Sequence, residues 1–251
     1  MGSSSLRLIT HSFSHRPALD TAVSRAILHR VSDDAEPATL RLYNPGSIVA
    51  FGPQDAASPG FIKAVDSSRK RGFEAIKRLA GGHAAIFHPG TIAFTWTIHD
   101  TNSNASVNDR FRAISQLIAS ALKRMGVDAH IGPVPGEYCS GQYSVNARGS
   151  KKIMGVGQRL ALRAAHVGGV VIVNNTALIR DMLTPVYEAL NLKWDPCTAG
   201  SIEDEIGTIT YAQAQEAIVN EFSREYDLYN GIISNDTMAL AKTLEVEHMA
   251  P

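Results

Sequence analysis

The chain has 251 residues, enough for one large domain or two small ones, and 44% of them are hydrophobic, enough for a sizeable core. Lys plus Arg and Asp plus Glu are both 24, so the formal net charge is zero, which argues against a bulk nucleic-acid binder. Cys139 and Cys197 lie too far apart in sequence to suggest a disulfide framework or a zinc site. The nine histidines show no ligand-like pairing near a cysteine pair, and no metal ligands are assigned. No apolar run approaches the ~18 residues of a membrane-spanning helix. The start has no long apolar h-region, and Leu6 stands where a myristoylation pattern needs Ser or Thr. The expectation is a soluble cytoplasmic protein with no nucleic-acid or membrane partner.

In chain order, residues 6–10 are short and apolar and read as an edge strand. Residues 17–30 read as a helix: Pro17 suits a first turn, and Leu19, Ala22, Val23, Ala26 and Ile27 recur at helical spacing. Residues 40–51 hold two apolar runs around Asn44, Pro45 and Gly46, a strand, a turn and a strand. Residues 52–55, with Gln54, close that strand as a loop. Residues 61–71 read as a helix stopped by Gly72, and residues 92–98 alternate as a strand. Residues 100–107, with Asn102, Ser103 and Asn104, read as a polar loop.

Residues 107–125 read as a strong helix, with Phe111, Ile114, Leu117, Ile118, Ala121 and Leu122 on one face. Residues 129–134 and 143–147 read as short strands on either side of a Pro- and Gly-rich loop that carries Glu137, Tyr138 and Cys139. Residues 160–165 and 168–173 read as a buried hairpin or consecutive strands. Residues 175–191 and 211–226 read as helices, 194–196 as a turn and 201–208 as a loop. Residues 226–251 carry little pattern and are expected as a loosely packed tail. No repeat and no linker demands a division, so residues 1–251 are expected to form a single catalytic domain.

Two stretches carry candidate chemistry. In the first, Lys77 and Arg78 meet Leu79, Ala80, Gly81, Gly82, His83 and Ala84. Adjacent glycines open backbone angles closed to other residues and expose N–H groups to an anion, while Arg78 adds a planar fork of donors. Taken alone, the pair reads more readily as a turn between strands, and neither the Walker pattern nor the dinucleotide fingerprint is present. In the second, Lys151, Lys152, Ile153, Met154 and Gly155 precede Gln158 and Arg159. Taken alone, Lys152 reads as a solvated hairpin lysine.

Together the two stretches resemble the signatures of the lipoate-protein ligase family, related to biotin-protein ligases and octanoyltransferases. The first resembles Arg-Arg-x-Ser-Gly-Gly-Gly-Ala-Val-Phe-His-Asp: Arg78 takes a signature Arg, Ala80 the Ser, Gly81 and Gly82 the first two glycines. His83 stands at the third glycine, and Phe87 and His88 replace His-Asp. The second resembles Tyr-x-Val-x-x-Gly-x-Lys-Ile-x-Gly-x-x-Gln-Arg, with Lys152 on the signature lysine and Gly155 on its glycine. The resemblance spans about residues 17–225, and the accessory domain of some ligases is not matched.

The resemblance implies an α+β fold, a mixed and largely antiparallel sheet flanked by helices. It implies activation of lipoate by ATP and Mg2+ to lipoyl-AMP, and transfer to a lysine of a lipoyl domain. The acceptor would belong to a 2-oxoacid dehydrogenase complex or be glycine cleavage H protein, with a separate accessory subunit as a further partner. Lys152 would be the catalytic residue, and Gln54, Arg78, Ala80, Gly81, Gly82, His83, Ala84 and Gly155 would bind substrate or nucleotide. Two alternatives stay open. One is an octanoyl- or lipoyltransferase with Cys139 as nucleophile, for which Lys152 supplies the neighbouring cation. The other is a degenerate member that only binds an acyl ligand, suggested by His83, Phe87 and His88.

Overall fold

The computed structural model describes residues 4–102 and 104–251; Ser103 of the polar loop and the first three residues lie outside them. The chain runs β1 (Ser4–Ile9), α1 (Pro17–Ser32), β2 (Thr39–Tyr43), β3 (Ile48–Phe51), α2 (Pro53–Ala56), α3 (Phe61–Arg69), β4 (Glu74–Lys77), β5 (Ala85–Phe87) and β6 (Thr91–His99). It continues α4 (Val107–Arg124), β7 (Ala129–Ile131), β8 (Val145–Ala147), β9 (Lys151–Leu160), β10 (Ala164–Ile172) and α5 (Thr176–Ala189). A 3-10 turn (Pro196–Thr198), α6 (Ile202–Ile206), α7 (Tyr211–Glu225), β11 (Tyr226–Asn230) and α8 (Asn235–His248) complete it.

Eight strands form one sheet in the order β11-β1-β2-β6-β10-β9-β8-β7, and β4-β3-β5 form a second. In the large sheet only β11/β1 and β1/β2 are parallel; every pairing from β2 to β7 is antiparallel. The α+β architecture is therefore the expected one. β6 sits at the centre because Ile92, Phe94 and Trp96 suit a pleated surface and seven of its nine residues are buried. The apolar stripe of α4, with Ile114, Ile118 and Leu122, covers one face of this sheet together with α7. The paired helices α1 and α8 close Leu19, Val23 and Ile27 against Ala241 and Leu244. Helices α3 and α5 cover the small sheet. Among the described residues no helix is long and apolar enough to cross a membrane.

Several local expectations are corrected. β1 is not an edge strand, because β11, brought back from the far end of the sequence, pairs outside it. Residues 52–55 are not a loop: α2 begins after Gly52, whose N–H donates to Asp55 Oδ2 at 2.9 Å. Residues 201–208 contain α6, started by Ser201 and Asp204, which cap each other's backbone N–H groups at 3.2 and 3.0 Å. The hairpin turns at 161–163, not 166–167, so β9 runs from Lys151 to Leu160 and carries Lys152 and Gly155 within it. Residues 226–251 are packed as β11 and α8. Arg16–Glu245, Arg25–Glu247 and Arg30–Asp236 ion pairs join α8 to α1 and the segment before it, and His248 Nδ1 lies 2.8 Å from the Lys77 carbonyl.

A buried charge pair joins α1 to β2. Arg41 Nη2 donates to Asp20 Oδ1 at 2.7 Å, and its Nη1 donates to Ser24 Oγ at 2.8 Å and to the Asp20 carbonyl at 3.0 Å. Asp20 Oδ2 accepts from the Phe13 N–H at 2.7 Å and from Ser12 Oγ at 3.1 Å. The guanidinium also lies 4.0 Å from the Tyr43 ring centroid. Both charges are shut away from water, so removing one strands the other. Asp20→Ala is expected to lower the unfolding free energy in a urea titration by about 3–5 kcal/mol. A loss below about 1 kcal/mol would show that the pair contributes little to the fold.

Candidate active site

The stretch between β4 and β5 crosses the large sheet beside the loop that precedes β8, and their meeting point is a cysteine sulfur. Arg78, just past β4, is placed by its N–H donating to the Phe51 carbonyl at 2.9 Å. Its Nη2 donates to the Gly81 carbonyl and to Cys139 Sγ, the latter at 3.4 Å. The His83 N–H donates to the same sulfur at 3.3 Å. Gly82 lies between, with φ +102°. A Cβ there would fall 2.0 Å from Arg78 Nη2 and 2.9 Å from Sγ, so the guanidinium and the thiol pass over a bare backbone. Ala80 is buried, Gly81 is exposed, and the Ala84 carbonyl faces inward.

Cys139 itself adopts φ +42°, a conformation that costs a non-glycine residue about 1–3 kcal/mol and persists only where the surroundings over-determine it. They do so here. The Cys139 N–H donates to Tyr187 Oη at 2.8 Å, and that hydroxyl donates to the Ala84 carbonyl at 3.0 Å. On the other side Lys152 Nζ donates to the carbonyls of Tyr138 and Cys139, both at 2.8 Å, and to Glu137 Oε1 at 3.1 Å. Glu137 also accepts from the Val134 and Gly141 N–H groups and from Ser144 Oγ, at 3.0, 3.1 and 2.7 Å. Lys152 is 1% exposed. Burial pushes its pKa down, and the Glu137 carboxylate opposes that shift.

Two adjoining cavities lead to the sulfur. One, of about 80 Å³, lies between the two sheets, with Ile48, Ala50, Ile76, Leu79 and Phe94 on its walls and His166 among its lining. The other, of about 30 Å³, is lined by Cys139, Lys152, Gly155 and Gly157. Arg78, Phe87, Gly168 and Gly169 line both. Gly169 makes room for this arrangement: a Cβ there would lie 2.0 Å from the Gly155 carbonyl and 2.7 Å from the Phe94 ring. His166 bonds Thr97 Oγ1 through Nδ1 at 3.2 Å, and burial, with Arg41 second, pushes its pKa down to about 3, so it lines the apolar end as a neutral ring. The result is an apolar passage that ends at a thiol.

A family model described as the lipoyl protein ligase A/B catalytic domain matches residues 16–223. The chain belongs to this family. A curated relative, the octanoyl-GcvH:protein N-octanoyltransferase of Geobacillus kaustophilus, is 26% identical over 172 residues, 68% of this chain and 59% of that protein's length. Among solved structures, protein Ta0514 of T. acidophilum with bound lipoic acid superposes with a TM-score of 0.78 at 18% identity, covering 98% of this chain and 96% of that one. A lipoate-protein ligase A bound with ATP superposes with a TM-score of 0.76 at 18% identity, covering 98% and 95%.

Of the residues singled out in this ligase-family sequence, Arg78, Gly82, His83, Lys152, Gly155 and Cys139 gather at the sulfur, and Ala80 lines the apolar cavity. Gln54 does not join them; it is exposed on α2, and its neighbour Asp55 is the residue turned inward. His88 is a fold residue: its Nδ1 accepts from the Gly90 N–H at 3.0 Å in the β5–β6 turn, and burial pushes its pKa down to about 4. Sequence reasoning missed Glu137, Tyr187 and Asp55. Glu137 had a local signal, a carboxylate in a Pro- and Gly-rich loop two residues before the cysteine. Tyr187 read as helix core, and Asp55 as a loop residue. Among the described residues no group of three or more His, Cys, Asp or Glu side chains is placed to hold a metal ion.

The geometry also corrects the reading of Lys152, taken alone, as a solvated hairpin lysine. Lys152→Ala leaves the Glu137 carboxylate buried without its cation, so the unfolding free energy is expected to fall by about 3–5 kcal/mol. Adding Glu137→Gln removes the stranded charge and should recover part of that loss. Equal urea midpoints for wild type and Lys152→Ala would contradict the assignment.

Proposed function

We propose that this protein is a cysteine-dependent acyltransferase, which moves an octanoyl or lipoyl group through a thioester on Cys139 to a lysine of a lipoyl domain. The observation that carries the reading is the sulfur itself: it ends an apolar passage, receives two N–H donors, and sits on a backbone held in a left-handed conformation. A thiolate is the attacking species in such chemistry, and directed donors with a neighbouring cation stabilise charge on sulfur. The curated relative's name gives the same class of reaction, with an octanoylated GcvH as donor and a protein as acceptor. The acceptor is accordingly proposed to be a lipoyl domain of a 2-oxoacid dehydrogenase complex or a glycine cleavage H protein.

In the first step the Cys139 thiolate attacks the donor's acyl carbonyl carbon, a C–S bond forms, the bond from that carbon to the donor breaks, and the leaving group departs with its electron pair, taking up a proton where it is an amine. The chain lies between the sheets, away from water. In the second step the acceptor lysine's amine attacks the thioester carbon, an amide bond forms, and the electron pair of the C–S bond returns to sulfur. Arg78 and the His83 N–H hold the negative charge at the start and the end of the cycle. Lys152 and Tyr187 fix the loop that aims the sulfur.

The adenylating ligase suggested by the sequence resemblance needs cations for the phosphate of an acyl-adenylate. Lys152, the signature lysine, is not free for that role in this arrangement. Lys152 has three N–H bonds, and Glu137, Tyr138 and Cys139 take all three. Arg78 turns Nη2 to Gly81 and Cys139, while its Nε is buried without a hydrogen-bond partner. No step through ATP or Mg2+ is therefore assigned.

The test is acyl transfer to an apo lipoyl domain from an octanoylated carrier protein without ATP, beside free lipoate with ATP and Mg2+. Transfer is expected without ATP and is expected to fall more than about 10³-fold in Cys139→Ser, the usual scale for loss of a covalent nucleophile. Transfer that requires ATP and survives Cys139→Ser would replace this reading with the ligase.

A further inference from the structure

His83 stands where the family signature has a glycine, and its surroundings give it work that a glycine cannot do. Its N–H is one of the two donors on Cys139 Sγ, at 3.3 Å. Its imidazole turns the other way, and Nδ1 lies 2.8 Å from Asp55 Oδ1. The Asp55 side chain is 1% exposed, and its second oxygen is taken by the Gly52 N–H. A buried carboxylate oxygen facing a ring nitrogen at this distance accepts its proton in a hydrogen bond. That puts the hydrogen of the neutral imidazole on Nδ1 and leaves the lone pair on Nε2. The His83 side chain is 34% exposed, so this nitrogen is open to a protein docked at the mouth of the passage.

The second half of the proposed reaction needs such a group. An amine that attacks a thioester carries a surplus proton until something takes it. Of the groups around the sulfur, Lys152 is buried with its three hydrogens committed, and Tyr187 Oη is engaged on both sides, its pKa pushed well above the usual phenol value by burial. His88 and His166 are buried, with their Nδ1 atoms bonded to Gly90 and Thr97. His83 remains: a partly exposed ring, oriented by a carboxylate, on the residue whose N–H meets the nucleophile. The ring and its orienting carboxylate are the base and orienting acid that general-base catalysis uses, on the residue whose main-chain N–H meets the nucleophile.

We propose that His83, oriented by Asp55, is the general base that takes the proton from the acceptor lysine as its amine displaces Cys139 from the acyl group. The N–C bond forms, the N–H proton passes to Nε2, the C–S bond breaks, and its electron pair returns to sulfur. The imidazolium then gives the proton to solvent. When the donor is itself an acyl-lysine, the same imidazolium run in reverse protonates the departing amine. A thioester donor needs no such proton, because its leaving thiolate is stable. The assignment rests on the acyltransferase reading.

The two half-reactions separate the outcomes. With octanoyl-pantetheine as a thioester donor, acyl-enzyme formation is followed by intact mass; an apo lipoyl domain is then added and loss of the acyl group is timed. His83→Gln can still donate to Asp55 but carries no base. Compared over the fraction of Cys139 that is loaded, His83→Gln and His83→Ala are expected to pass the acyl group to the acceptor about 10²–10⁴-fold more slowly than wild type. Asp55→Asn should slow the same step by less. Acyl passage in His83→Gln within about threefold of wild type would overturn the proposal, whether or not His83→Ala fails, since a ring that only positions can be replaced by the amide. A wild-type enzyme that never loads Cys139 would remove the acyltransferase reading and this role with it.

Discussion

The ammonium of Lys152 inside the Glu137–Cys139 loop is the interaction on which the site depends. The loop is short of apolar side chains and holds a non-glycine residue at positive φ, so it has little intrinsic reason to keep one shape. A buried cation with three acceptors, two of them consecutive carbonyls, removes that freedom. Glu137 completes the arrangement by balancing the charge and taking two backbone N–H groups of its own loop. The pair is costly to bury, and a good hydrophobic replacement could stabilise the fold equally well. What the pair contributes here is direction: it aims one sulfur at the end of one passage.

The rest of the architecture supplies the passage. A small three-stranded sheet lies against the central strands β2, β6 and β10 of the large one, and the gap between them is the acyl-sized cavity. Arg41 and Asp20 hold α1 to β2 beside it, and the absence of a side chain at Gly169 lets the ring of Phe94 reach its wall. The same stretch that carries Arg78, Gly82 and His83 joins β4 to β5, so the donors on the sulfur and one wall of the cavity move as a unit. On the proposed reading, one packing arrangement would set both the binding of the acyl chain and the orientation of the reacting carbonyl, which is how proximity lowers a barrier without added chemistry.

How far the sequence could be read depended on the range of each interaction. The amphipathic stripe of α4, the Pro17 start of α1 and the β-rich run of β6 are local patterns, and they appear where expected. The two motif blocks were also local, and they led to the sulfur. The pairing of β11 with β1 was illegible, because it joins strands more than two hundred residues apart, and β1 looked like an edge. α8 lacked a clear apolar stripe, since much of its attachment to α1 is through long-range ion pairs. Lys152 was visible as a motif lysine, but its partner Glu137 lies fifteen residues upstream with no periodicity to link them. Asp55 was hidden for a similar reason: a carboxylate in a short polar segment reads as solvated, and only the fold brings His83 to it.

The central claim is that Cys139 carries the acyl group. The most direct measurement mixes the protein with an octanoyl thioester in the absence of ATP, then maps any adduct by peptide mass spectrometry. The account predicts one octanoyl group on Cys139, discharged when an apo lipoyl domain is added. An unmodified Cys139, together with pyrophosphate release from ATP in the presence of lipoate, would contradict it.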